Sequence, residues 1–187
     1  GKNESEIMDI VINPYKAVYY LDTITAEKLD SVDSIREVIS NDDKYRISAF
    51  VYDRMKSEAA LGKTTLKRSN VEKYVARKAG VDKELVKSCI DKLKEDSIIL
   101  ENMEGIIKLS FIHKMEAEII RDINRLIENT DIDPEGIDEL SSSWQNNRDI
   151  KLSDNQLKAI HSLKSGVSCI TGGAGTGKSF IISLMNY

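Results

Sequence analysis

The segment Gly172-Gly173-Ala174-Gly175-Thr176-Gly177-Lys178-Ser179 constrains this chain more than any other. It matches G-x-x-x-x-G-K-[ST], a loop that works at the junction between a strand and a helix. Its glycines let the backbone curl so that successive N–H groups face phosphate oxygens at a helix start. Val167-Ser168-Cys169-Ile170 ahead of it reads as a short buried strand, and Phe180-Ile181-Ile182-Ser183-Leu184-Met185 behind it reads as the helix. Lys178 is expected at the β/γ-phosphates and Ser179 on Mg²⁺, the two residues of the set with a catalytic part. Gly172, Gly173, Ala174, Gly175, Thr176 and Gly177 complete the expected phosphate-binding set.

Around this loop the composition is ordinary. With 187 residues, 41% hydrophobic and 31% charged, the chain has room for one or two small domains. It has no apolar run of membrane-spanning length and no signal-peptide pattern, so the expectation is a cytoplasmic protein without a membrane partner. Cys89 and Cys169 lie in apolar surroundings and read as reduced core residues. Neither His113 nor His161 has neighbours spaced for a metal site. The chain opens with Gly1-Lys2 and reaches Tyr187 eight residues after Ser179, which leads us to expect a fragment.

The formal net charge is −4, but it is unevenly placed. From Leu61 to Lys94 ten bases face four acids, a local excess of six positive charges, so the remainder is strongly acidic. Such an island is the pattern of a face that meets phosphates, and also that of solvated helix surfaces.

Periodicity places elements along this region. Ile47, Phe50, Val51, Met55 and Ala59 give a helix over Arg46 to Leu61, stopped at Gly62. Ser69-Asn70-Val71-Glu72 reads as a capping box opening a second helix, with Val71, Tyr74, Val75 and Ala79 inward and Gly80 closing it. Asp82 caps a third, with Leu85, Val86, Cys89, Ile90 and Leu93 inward. Ile98-Ile99-Leu100 and Ile106-Ile107-Lys108-Leu109 flank the turn Asn102-Met103-Glu104-Gly105 and form a short hairpin. Three helices and a two-stranded wing describe a winged-helix-like domain, whose third helix would enter a DNA groove. Lys73, Arg77, Lys83, Lys87 and Lys94 are the candidate DNA-binding residues. The other reading is a module that docks a protein partner, since the wing from Glu101 to Glu104 is acidic.

His113 to Asn129 gives a further helix, with Met115, Ile119, Ile120, Ile123, Leu126 and Ile127 on one side. Glu128 to Leu140 then carries six acids and no base, followed by Ser141-Ser142-Ser143, which reads as a solvated linker on which Trp144 is an anchor.

Leu152-Ser153-Asp154-Asn155-Gln156-Leu157-Lys158-Ala159-Ile160, paired with Ile170-Thr171 and the glycine loop, resembles the L-s-x-x-Q-x-x-A-I and t-G-G-x-G-T-G-K-[ST] elements of superfamily 1 helicases. Asn13-Pro14-Tyr15, Arg46-Ile47-Ser48-Ala49-Phe50-Val51-Tyr52, Glu58-Ala59-Ala60-Leu61-Gly62-Lys63-Thr64 and Ile106-Ile107-Lys108-Leu109 look like the amino-terminal region of the RecD/TraA branch. The resemblance runs from about Asn13 to Tyr187, specific in the helicase motifs and diffuse upstream. It implies that Gln156 recognises adenine, a role compatible with Ser153 and Gln156 forming a capping box. It further implies ATP and Mg²⁺ as cofactors and single-stranded or partly duplex DNA as partner, in repair or recombination.

The expected architecture is mainly α with a small β-hairpin, followed by the truncated start of a RecA-like α/β P-loop domain. The expected boundaries are a helix-hairpin-helix-like segment at 1–42, a winged-helix-like domain with trailing helix at 43–129, the acidic linker at 130–150 and the motor start at 151–187. Two departures from the family stand out. Leu21-Asp22-Thr23-Ile24-Thr25 occupies the place of its glycine-containing hairpin, which argues against DNA contact there. The carboxylates, arginine and second RecA-like domain needed for phosphoryl transfer have no counterpart in these residues. The expectation is therefore part of an ATP-dependent 5′-to-3′ DNA helicase, with these 187 residues inactive by themselves. The alternatives are a non-catalytic DNA- or protein-docking module and a non-helicase P-loop ATPase with a winged helix.

Overall fold

A computed structural model describes residues 4–128, 134–148, 150–162 and 167–185. It is mainly helical with one small antiparallel sheet, and it separates into two compact units, Gly1–Glu116 and Ala117–Tyr187. Among the described residues no helix is long and apolar enough to cross a membrane.

Unit 1 begins with α1 (Glu4–Ile12), a 3₁₀ turn at Pro14–Lys16, and the short helices α2 (Ala17–Tyr20), α3 (Ala26–Asp30) and α4 (Asp33–Val38). Asn13 starts the turn by accepting the Tyr15 N–H on Oδ1 at 3.0 Å, and Tyr15 is fully buried. The centre of the unit is α5 (Lys44–Ala60), which packs against α6 (Arg68–Ala79) and α7 (Lys83–Glu95). Ile47, Val51, Val75, Val86 and Ile90 are among the side chains with no exposed surface, and they form the shared core. Full burial of each such side chain contributes about 1.5–3 kcal/mol.

Local signals mark several of these ends. Asp43 caps α5 by accepting the Arg46 N–H at 2.9 Å, and Asp82 caps α7 by accepting the Glu84 N–H at 2.8 Å. Gly80 closes α6 in the left-handed region at φ 69°, where a Cβ is costly. Asn102 Oδ1 accepts the Glu104 and Ile106 N–H groups and so holds the turn of the hairpin.

The sheet has three strands, not two. β1 (Leu66–Lys67) pairs with β3 (Ile106–Leu109), and β3 pairs with β2 (Ile99–Glu101), all antiparallel, with Leu66 opposite Ile107 and Ile99 opposite Leu109. This pairing also changes the start of α6. The Arg68 N–H is donated to Gly105 O at 2.9 Å, and the helix opens at Arg68 with no side-chain cap, so Ser69 and Glu72 do not form the expected box. Glu72 is 4% exposed and instead accepts Arg68 at 2.9 Å and pairs with Lys83 at 3.2 Å. Two charged partners outcompete a reach back to the backbone.

Arg46 joins three further parts of unit 1. It is buried, and its guanidinium donates to Asp30, to Asn41 O and to Ala79 O. Asp53 performs a similar task for the Leu21–Thr25 connection by accepting the Ala26 N–H at 2.5 Å. Burial pushes the Asp53 carboxyl up to about 6, against the pull of that N–H. An unfolded Asp titrates near 3.9, so the folded chain binds the extra proton between about pH 4 and 6. Folded stability contributed here is greatest at the acid end of that window, falls as pH rises through it, and is flat above. Comparing wild type with Asp53→Asn by urea unfolding, we expect the variant's relative stability to increase from pH 4 to 6.5. A relative stability of the variant that stays constant or falls over that range would contradict this assignment.

The chain leaves the sheet in α8 (Ser110–Glu128), whose apolar residues Met115, Ile119, Ile120, Ile123, Leu126 and Ile127 share one side and are exposed.

Unit 2 contains α9 (Pro134–Arg148), α10 (Asp154–His161) and α11 (Lys178–Met185). The expected linker is thus helical over Pro134–Arg148; residues 129–133, with Asp131 and Asp133, lie outside the described residues. Pro134 at the first helical position is a favourable start. Ile137, Ser141 and Trp144, spaced i, i+4, i+7, face inward, and burial of that stripe outweighs the local repulsion of the acids. Trp144 is 1% exposed and packs with Leu152, Ile160 and Ile181, with the Phe180 ring edge-on at 4.9 Å.

The run Val167 to Ile170 has no regular secondary structure and forms no strand among the described residues, and Val167 and Cys169 are exposed. The expected buried strand and the expected core position of Cys169 are therefore corrected. An isolated strand has no ladder to join, and only Ile170 finds apolar cover, on the Trp144 cluster.

Candidate nucleotide and nucleic-acid sites

The glycine loop is assembled within unit 2 between the irregular run ending at Thr171 and α11. Gly175 and Gly177 hold φ values of 77° and 82°. The backbone N–H groups of Gly173, Ala174, Gly175, Thr176 and Gly177 make no hydrogen bond among the described residues. Lys178 is folded back over the curl, its Nζ donating to Gly172 O at 2.7 Å and Gly173 O at 2.6 Å. Thr176 Oγ1 donates to Gly173 O at 2.9 Å and braces the same turn.

At two of the glycines an added Cβ would crowd a neighbouring side chain. A Cβ on Gly172 would stand 2.8 Å from Thr176 Oγ1, and one on Gly177 would stand 2.6 Å from Gln156 Nε2. The second distance joins α10 to the loop. Ser153 caps α10 in a complete capping box, with Gln156 Oε1 accepting the Ser153 N–H at 2.9 Å and the Ser153 hydroxyl at 3.2 Å. The box fixes the Gln156 side chain so that its amide nitrogen lies against Gly177.

These residues fit a nucleoside triphosphate with Mg²⁺. Unpartnered N–H groups and one ammonium suit phosphate oxygens, and the exposed Ser179 hydroxyl in the first turn of α11 suits the metal. When bound, the cation would neutralise charge on the phosphates.

In unit 1 the candidate DNA-binding residues separate into two groups. On α7 and its approaches the cations are paired: Lys83 with Glu72 at 3.2 Å, Lys87 with Glu84 at 2.6 Å, and Lys94 with Glu101 at 2.9 Å. Arg68 binds Glu72, Asp91 and Glu101, and its guanidinium holds the Asp91 carboxyl below the usual carboxylate range. Glu101, at the end of β2, thus answers both Lys94 and Arg68. Lys73 and Arg77 on α6 are exposed and have no hydrogen bond or ion pair among the described residues.

Arg68 was absent from the sequence-based candidates. Its spacing to Glu72, i to i+4 on a helix, was the available signal. A second contact not foreseen is Arg54, whose guanidinium lies 4.2 Å over the Tyr74 ring.

No protein-family model matches the chain, and no curated protein matches it.

Proposed function

We propose that the chain is part of an ATP-dependent DNA helicase of the RecD/TraA type, with the loop from Gly172 to Ser179 binding the phosphates of Mg·ATP and Gln156 reading adenine. The observation that carries the reading is the approach of Gln156 Nε2 to Gly177, at 2.6 Å from where a Cβ would be. It places the adenine-reading candidate beside the phosphate-binding candidate, as one nucleotide requires. The order of unit 1, helix, strand, helix, helix, strand, strand from α5 to β3, supports a winged-helix module that engages DNA.

An amide that contacts adenine at both N6 and N7 uses its oxygen and its nitrogen together. Gln156 Oε1 is held by Ser153, so adenine competes with the capping box for that atom. Gln156→Ala should therefore weaken Mg·ATP binding by about tenfold while leaving Mg·GTP binding within about twofold, the scale of one lost bidentate contact. Competition against a fluorescent ATP analogue measures both. Equal losses for the two nucleotides would remove Gln156 from base recognition; no nucleotide binding by the wild type would end the reading itself.

A further inference from the structure

The cations of the basic island occupy different electrostatic circumstances, although they are neighbours in sequence. Those of α7 have carboxylate partners within 2.6 to 3.2 Å, and a phosphate would have to displace Glu72, Glu84 or Glu101 to reach Lys83, Lys87 or Lys94. The exchange of one anion for another returns little. Lys67, Lys73 and Arg77 are exposed and have no such partner among the described residues.

Helical geometry gathers Lys73 and Arg77 of this second group on one face. At about 100° per residue, Asn70, Lys73, Tyr74, Arg77 and Lys78 fall on one arc of α6. Val71, Val75 and Ala79 lie outside it and are buried, and so is Glu72, the single acid of α6. The arc carries no carboxylate of its own helix; from α3, Glu27 reaches Lys78 at 3.0 Å. Lys73 and Arg77 are one turn apart, and Tyr74 between them is stacked by Arg54 of α5. The result is a cationic strip with a held aromatic ring, a surface that suits a sugar-phosphate backbone with no base-specific demand.

We infer that the outer face of α6, through Lys73 and Arg77, is the surface on which DNA phosphates run, and that α7 is not the DNA-contacting helix of this unit. This rests on the DNA-engaging reading of unit 1 and replaces groove insertion by backbone contact. Each lysine or arginine that meets a phosphate adds about 0.7 to 0.9 to the slope of log affinity against log salt.

The test uses the 187-residue chain, fluorescence anisotropy and labelled single-stranded and duplex DNA of mixed sequence over a salt series. The Lys73→Gln, Arg77→Gln double variant is compared with Lys87→Gln, Lys94→Gln, and circular-dichroism melts verify that both fold. The expected result is a loss of about tenfold or more at low salt for the first pair, with the salt slope reduced by nearly two, and a change within about threefold for the second. An equal or larger loss for the α7 pair, wild-type affinity in the α6 pair, or no binding by the wild type at low salt would each overturn the inference. No nucleotide is present, so the nucleotide reading stands or falls separately by Mg·ATP binding.

Discussion

Trp144→Ala should cost unit 2 about 3–5 kcal/mol and release α10 and α11 from α9. The magnitude follows from position: among the described residues Trp144 is the largest fully buried side chain, and its cluster has Leu152, Ile160 and Ile181 as its other buried members. A core of that size has little else to offset a cavity. The indole Nε1 is buried without a partner among the described residues, which subtracts from what the ring contributes. Trp144→Phe, which keeps an aromatic edge for Phe180 and removes the unpaired N–H, should therefore lose much less. Hydrogen exchange reads the difference directly, with amides of α10 and α11 losing protection in the alanine variant while those of α5 keep it. Unchanged protection in α10 and α11 would show that Trp144 does not hold the glycine loop in place. Since Trp144 is the one tryptophan of the chain, its emission also reports unit 2 without interference from unit 1.

Elements set by hydrogen bonds a few residues long were readable in the sequence. The Asp82 cap, the Gly80 stop, the Asn102 turn and the Ser153–Gln156 box each need only their own neighbours. What depends on a distant partner was not. Leu66-Lys67 is too short to show alternation and becomes a strand only because Ile106 and Ile107 are opposite. Glu72 looked like half of a capping box, and Lys83, eleven positions on, helps to redirect it. The acids before Leu140 hid a helix whose inward stripe of Ile137, Ser141 and Trp144 was visible but outvoted by charge. Val167 to Ile170 has the apolar character of a strand, yet no neighbouring strand pairs with it among the described residues.

The candidate sites follow the same division. The glycine motif with Lys178 and Ser179 was legible because its chemistry is contiguous. The approach of Gln156 to Gly177 needed the packing of α10 beside the loop, and the contrast between α6 and α7 needed the placement of each carboxylate. Net charge over a segment counts residues; whether a cation can meet a phosphate depends on which acid already holds it.

Lys178→Ala bears on the central claim, that the loop binds the phosphates of a nucleoside triphosphate. The ammonium is pinned by Gly172 O and Gly173 O at the mouth of the curl, among N–H groups with no partner among the described residues. Truncating it removes a charge-assisted contact to phosphate, about 1.5–3 kcal/mol per hydrogen bond, or roughly 10- to 150-fold in affinity. The same change leaves the Trp144 core intact, so folding and binding separate. The most direct measurement is a calorimetric titration of Mg·ATP into the wild-type chain and into Lys178→Ala. Saturable one-to-one binding by the wild type, weakened about 100-fold in the variant with an unchanged melting curve, is the predicted result. Equal binding by the two proteins, or none by the folded wild type, would contradict it.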